Sequence, residues 1–234
     1  MNYKIINDGS ELNRFIRWLP DLKKSEAYLF LLFARKKYCP EMELRCGHQN
    51  MKRFTCNSKD LIIKKIKQLE LPIGGYFDKD KVIPQQALAL YVNINPRCMI
   101  RASKELLKVL ADKITRPYEG YNPQNLALTQ IHKAKGTGNF IDFDFDCPCA
   151  DGDKLQKHWM TKQLMAIDKI INPQAVNIIE TKNGFHCLVK PSKIDKKYIK
   201  TFYNDIKSLG VDVVGDCMVP VPGCVQGDHT PSLF

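Results

Sequence analysis

No stretch of the chain is apolar for long enough to cross a bilayer. The longest such run, AYLFLLFA at 27–34, falls well short of the ~20 residues a spanning helix needs. The opening MNYKIINDGS lacks the apolar core of a secretory signal, and no internal repeat, low-complexity tract or Pro/Gly-rich linker follows. A disulfide framework is missing too, because nine cysteines are an odd number scattered along the chain, which suits thiols or metal ligands in a reducing compartment. These absences predict a soluble cytoplasmic protein with no membrane partner. With 234 residues and 44% hydrophobic content the chain has material for one compact unit with a sizeable core.

Positive charge is what the chain has in excess. Thirty-six Lys and Arg stand against 25 Asp and Glu, a net charge of +11, which favours an anionic partner such as nucleic acid or nucleotide. The same Lys, Asn and Ile usage also arises from AT-rich coding sequence, so charge alone does not decide the matter. Residues 10–37 read as two helices parted at Leu19-Pro20-Asp21, and Ser58 as the N-cap of KDLIIKKIKQLE, whose Leu61, Ile62, Ile66 and Leu69 recur at helical spacing. The expectation is therefore a mostly helical N-terminal lobe over 1–85. A core over 86–234 follows, opened by the strand-like ALALYVNINPR and the helical ASKELLKVLADKI.

From 138 onward the pattern sharpens. GNFIDFDFD alternates strictly, as a strand does, and GDKLQKHWMTKQLMAIDKII is an amphipathic helix stopping before Asn172-Pro173. AVNIIE, TKNG and FHCLVK make a hairpin, SKIDKKYIKTFYNDIKSLG is a helix ending at Gly210, and VDVV opens a last strand region running to CMVPV. The order β-α-β-β-α-β is that of a ferredoxin-like, or RRM-like, α+β core. In it the strand 139–146 lies between 185–190 and 211–221. Both helices cover one face, so Asp142, Asp144 and Asp146 are expected on the other, uncovered one.

Carboxylates this close repel one another, and a divalent cation relieves the repulsion. All-oxygen ligation selects Mg²⁺ or Mn²⁺, and acids at i and i+2 can share two ions that serve phosphoryl displacement. The bland alternative is a solvated sheet face that alternates polar outward. The flanking strands weigh against it. ETKNGFHCLVKP brings His186 to one side of the acids, and GVDVVGDCMVPVPG brings Asp212 to the other, with Asp216 as a competitor for the same role.

FIDFD, TKNGFH and VDVVGD, in this order and spacing, resemble the three motifs of archaeo-eukaryotic primases and the related primase-polymerases. The resemblance covers about 86–234 and leaves the first third unplaced. It implies a modified βαββαβ catalytic core, with Asp142, Asp144 and Asp212 as metal ligands, Asp146 without a counterpart, and His186 as the contact to the nucleotide's phosphates. Lys182 is a further candidate for nucleotide binding. VPVPG is similar to the proline-containing stretch after the third motif in plasmid primase-polymerases, but no basic residue follows it where many relatives carry one. The implied activity is DNA-dependent nucleotidyl transfer from NTP or dNTP on a single-stranded template. Two other readings stay open, a catalytically weak or inactive nucleic-acid-binding replication or mobile-element protein on the same fold, and a metal-dependent nuclease.

Three smaller features remain. Cys39, Cys46, His48 and Cys56 offer an irregularly spaced candidate set for structural Zn²⁺. Cys147 and Cys149 follow the acids directly. Arg97 in NINPR, and Lys133, Lys135 and Gly136 before the acid strand, are candidates to meet a phosphate or nucleic acid, and a turn and a solvated lysine cluster explain them as well.

Overall fold

The run AYLFLLFA folds as an interior β-strand, because its apolar side chains are wanted on both faces. The computed structural model describes residues 1–42, 44, 47–114, 120–148, 153–213 and 218–234. In chain order its elements are α1 (Gly9–Trp18), β1 (Glu26–Arg35), β2 (His48–Cys56), α2 (Ile62–Lys67), β3 (Phe77–Asp78), β4 (Lys81–Val82), β5 (Leu88–Asn93), β6 (Arg97–Cys98) and α3 (Met99–Ile114). There follow α4 (Pro123–Lys133), β7 (Ile141–Asp146), α5 (Asp153–Ile170), β8 (Val176–Thr181), β9 (Gly184–Val189), α6 (Phe202–Lys207), β10 (Asp212–Val213), β11 (Met218–Pro220) and β12 (Ser232–Leu233). The fold is mixed α+β with antiparallel sheets.

The first sheet runs β11-β5-β1-β2, with β6 also paired to β1. Phe30, Leu32 and Ala34 of β1 point into a core shared with Phe15, Ile62 and Leu90, while Leu29, Leu31 and Phe33 pack on the opposite side with Tyr91 and, at the edge, Ile131. This overturns the expectation of a mostly helical N-terminal lobe. α1 forms, with Asp8 accepting from the Ser10 and Glu11 amides, and Ser58 caps a 3₁₀ turn leading into the six-residue α2, but residues 26–35 and 48–56 are strands. An apolar run of eight residues has no period of its own, and its aromatic content suits a strand buried on both faces.

The second sheet runs β10-β7-β9-β8-β12, every pairing antiparallel. β7 therefore has β9 on one side and β10 on the other. Phe143 and Phe145 face α5 and α6 and pack with Ile167, Ile171, Phe202 and Ile206. The opposite face is not left bare as expected. At its β8 and β9 end, Ile179 and Leu188 join the core of the first sheet, and the acid end opens to a cleft.

Two further expectations change. The helix read over 192–210 shrinks to α6, preceded by a 3₁₀ turn at Pro191–Lys193, although it does end near Gly210, whose φ of 81° suits glycine. The strand region read over 211–221 divides, with β10 pairing β7 and β11 pairing β5 in the other sheet. The first sheet thus takes β5 and β11 from the 86–234 portion, so a boundary at 85 does not separate the two sheets.

Candidate active site in the cleft between the sheets

The acid strand is built so that its charges meet specific neighbours. In the β7–β9 register Asp142 lies opposite Leu188, Asp144 opposite His186 and Asp146 opposite Gly184, while β10 sets Asp212 opposite Asp144. Residues directly opposite in an antiparallel pair project to the same face, so Asp144 stands between a histidine and a third acid. Gly184 is required by close approach, since a Cβ there would lie 1.9 Å from the Phe145 carbonyl oxygen.

Asp142 has no solvent exposure, and His186 is 7% exposed. The His186 Nδ1 lies 3.1 Å from each Asp142 carboxylate oxygen and 3.6 Å from Asp144 Oδ1. An ionised carboxylate only accepts, so Nδ1–H donates to Asp142 and Nε2 is the nitrogen left over. Burial pulls the His186 pKa down, but the Asp142 charge and hydrogen bond, followed by Asp144 and Asp146, outweigh it and raise the value. For Asp144 burial is the largest influence and raises its pKa; His186 opposes this, while Asp146 and Asp142 add to it. Asp146 is exposed at the end of the strand.

The wall facing these acids comes from the first sheet. The cleft, of ≈ 360 Å³, is lined there by Phe33, Arg35, Lys37, Tyr38, His48 and Tyr91, and by Lys182, Asn183 and Gln226 at its edge. Arg35 donates to the Tyr91 hydroxyl and lies 5.7 Å from the Tyr38 ring centroid. The Lys37 and Lys182 ammonium groups lie 5.2 and 5.7 Å from the same ring. Gln226 Nε2 donates to the Tyr38 hydroxyl at 2.9 Å, which fixes the ring the three cations share. Partial desolvation and then Arg35 lower the Lys37 pKa, while Asp146 and Asp144 act across the cleft in the other direction. Lys182 is also ion-paired with Asp228.

The structure therefore gathers Asp144, Asp146, His186 and Lys182 around one cleft, with Asp142 fully buried and bonded to His186. Asp212 reaches the same face but is exposed at its border, and Asp216 lies outside the described residues. Arg35, Lys37, Tyr38, Tyr91 and Gln226 were not anticipated. RKKY directly after an apolar run was the available signal for the first three, and it was hidden by reading that run as helix; Gln226 had none.

The candidate zinc set does not assemble. His48 pairs with Arg35 and Cys56 with Tyr28, at opposite ends of β2, so at ~3.3 Å per residue they stand about 26 Å apart. His48 lines the acid cleft, Cys56 is buried in the core, and Cys46, like Cys149, lies outside the described residues. Arg97 is fully buried in β6 and so cannot meet a phosphate at the surface.

The acids do fit a hard divalent cation. They offer only oxygen donors, and the Asp144 pKa, raised first by burial and then by Asp146 and Asp142, reflects a charge that Mg²⁺ or Mn²⁺ would stabilise. Asp142 gives both oxygens to His186, and among the described residues no three such side chains are already closed into a ligand set. No protein-family model matches the chain, and no curated protein or solved structure matches it either.

Proposed function

We propose that the chain is a nucleotidyltransferase of the primase or primase-polymerase type, which joins NTPs or dNTPs on a single-stranded nucleic-acid template. The observation that carries this reading is the placement of Asp144 between His186 and Asp212 on one sheet face, opposite a wall of cations. The strand order β10-β7-β9-β8, with α5 and α6 in the connections, supports a ferredoxin-like core beneath it.

Asp142, Asp144 and Asp212 would hold Mg²⁺ or Mn²⁺, which when bound supplies the positive charge that nucleotidyl transfer requires at the α-phosphate. The chain's own groups do the rest. His186, oriented through Nδ1 by Asp142, presents Nε2 to a phosphate oxygen. Arg35 and Lys37 hold the polyphosphate from the facing wall, with Lys182 at the edge, and so take the place of the basic residue missing after VPVPG. Reactants held between two preformed walls need little reordering to react.

One observation favours a second reading, a nucleic-acid-binding protein that has lost catalysis. Asp142 is committed to His186 by both oxygens and Asp212 sits at the border of the cleft rather than within it. The test is incubation with a single-stranded template, NTPs or dNTPs, and Mg²⁺ or Mn²⁺. Short oligomers made or extended by the wild type, and absent with the Asp142→Ala/Asp144→Ala variant at unchanged circular dichroism, support the proposal. Binding without synthesis under every metal would leave the second reading, and template degradation would point to a nuclease.

A further inference from the structure

The cleft has a volume of ≈ 360 Å³, at the small end of the ~300–1,000 Å³ typical of ligand pockets, so it has room for one nucleotide but not for a strand beside it. If the chain copies a template, the strand must lie on a surface outside the cleft and adjoining it. Two of the chain's basic surfaces lie on elements that cover or lead into the acid strand. Lys196, Lys197 and Lys200 precede α6, which covers the Phe143 and Phe145 face of the second sheet. A strand held there would be on the side of the sheet away from the acids.

The other surface is the hairpin of α3 and α4. Between Met99 and Lys135 the described residues include Arg101, Lys104, Lys108, Lys113, Lys133 and Lys135 against Glu105 and Asp112, six cations to two carboxylates. The hairpin has hardly any core of its own, since α3 buries only Ala102 and α4 buries no residue fully. Ile100, Leu107 and Ile114 are instead 57%, 67% and 75% exposed, interspersed with the exposed Lys104 and Lys108. The base of the hairpin is anchored beside the cleft. Ile131 of α4 packs against the cluster containing Phe33 and Tyr91, both of which line the cleft, and Lys135 bridges to Arg97 before the chain enters β7.

We infer that the α3–α4 hairpin is an arm that holds a single nucleic-acid strand against the mouth of the cleft. This rests on the reading under Proposed function and names the partner surface that reading needs. The exposed lysines meet phosphates, and the apolar side chains between them lie against bases without selecting a sequence, as a non-specific strand-holding surface should. Charge complementarity is the reason for choosing nucleic acid over an apolar protein partner, because the exposed Lys104, four positions after Ile100 and three before Leu107, shares their face of α3.

The test is binding of a fluorescent single-stranded oligonucleotide by anisotropy across a salt series, with the full chain. Lys104→Glu/Lys108→Glu is expected to weaken binding at least tenfold at low salt, and to flatten the log–log salt slope by about 1.4, two contacts at ~0.7 each. Lys196→Glu/Lys200→Glu should leave both quantities near wild type, and Mn²⁺–nucleotide binding should be the same in all three proteins. Wild-type oligonucleotide affinity in the hairpin variant, with its melting temperature retained, overturns the inference. So does a Leu107→Ser variant that changes oligomeric state while binding the oligonucleotide normally. The two proposals fail separately. Loss of strand binding in the hairpin variant with no synthesis by the wild type sinks the nucleotidyl-transfer reading and keeps the arm, whereas synthesis by the wild type with unchanged binding and extension by the variant does the reverse.

Discussion

β1 and β7 each lie between two neighbouring strands, yet they use their faces differently. β1 buries apolar side chains on both, Phe30, Leu32 and Ala34 on one and Leu29, Leu31 and Phe33 on the other. β7 buries Phe143 and Phe145 on one face and carries three carboxylates on the other, from the fully buried Asp142 to the exposed Asp146. The difference separates stability from chemistry. β1 anchors the fold and contributes to the cleft near its end, through Phe33 and through Arg35, which emerges beyond the last apolar position. β7 accepts a destabilising arrangement, a desolvated Asp144 between other acids, in the place where that charge can be used.

The largest effect that breaks this contrast is expected at Asp144. Asp144→Asn should lower oligomer synthesis at least ~1,000-fold, about 4 kcal/mol in the barrier, while raising stability at pH 7 by about 1 kcal/mol in urea melts. The sign follows from the raised pKa, because the folded state favours the neutral carboxyl and so loses stability as pH climbs through its folded value, a loss the amide does not suffer. A variant that loses both activity and stability would put Asp144 among the structural residues.

In β1 the expectation is reversed. Leu32, buried and central, should cost about 3 kcal/mol as Leu32→Ala, with nucleotide affinity of the folded protein retained. Smaller again is the join between the two regions, where Glu26 of β1 accepts from the Thr137 amide and hydroxyl, each at 2.7 Å, just before β7. Burial would raise the Glu26 pKa, but these bonds, with the Lys23 amide and charge, leave it below the ordinary value. Its contribution is therefore present above the ordinary glutamate range and lost as pH falls through the folded pKa. Glu26→Gln should cost about 2 kcal/mol at pH 7, and stability should decline less steeply than in the wild type on acidification below about pH 5. Asp146→Asn, at the exposed end of β7, should change stability by less than ~0.5 kcal/mol, the range of ordinary surface substitutions.

The same contrast explains what could be read from the residues alone. Alternation in FIDFDFD placed the acids on one face because period 2 belongs to strands and nothing else, and the glycine of TKNG marked the turn that brings His186 opposite Asp144. AYLFLLFA carries no period, so helix and strand were equally open, and the choice of helix removed Arg35, Lys37 and Tyr38 from consideration as a facing wall. The hydrogen bond from Gln226 to Tyr38 joins residues 188 positions apart, and no local pattern announces a contact of that kind. The zinc set failed for a related reason, because spacing along the chain says little once a nine-residue strand holds its ends apart.

The central claim is that the acids of β7 and the cations at the end of β1 are two walls of one nucleotide site. It is tested most directly by equilibrium titration of a nucleoside triphosphate with and without Mn²⁺, using the wild type, Asp144→Asn and Arg35→Ala. The account predicts 1:1 binding by the wild type, loss of the Mn²⁺-dependent increment in Asp144→Asn, and roughly tenfold weaker binding in Arg35→Ala with or without the metal. Wild-type affinity and metal dependence in both variants, each folded, would contradict it.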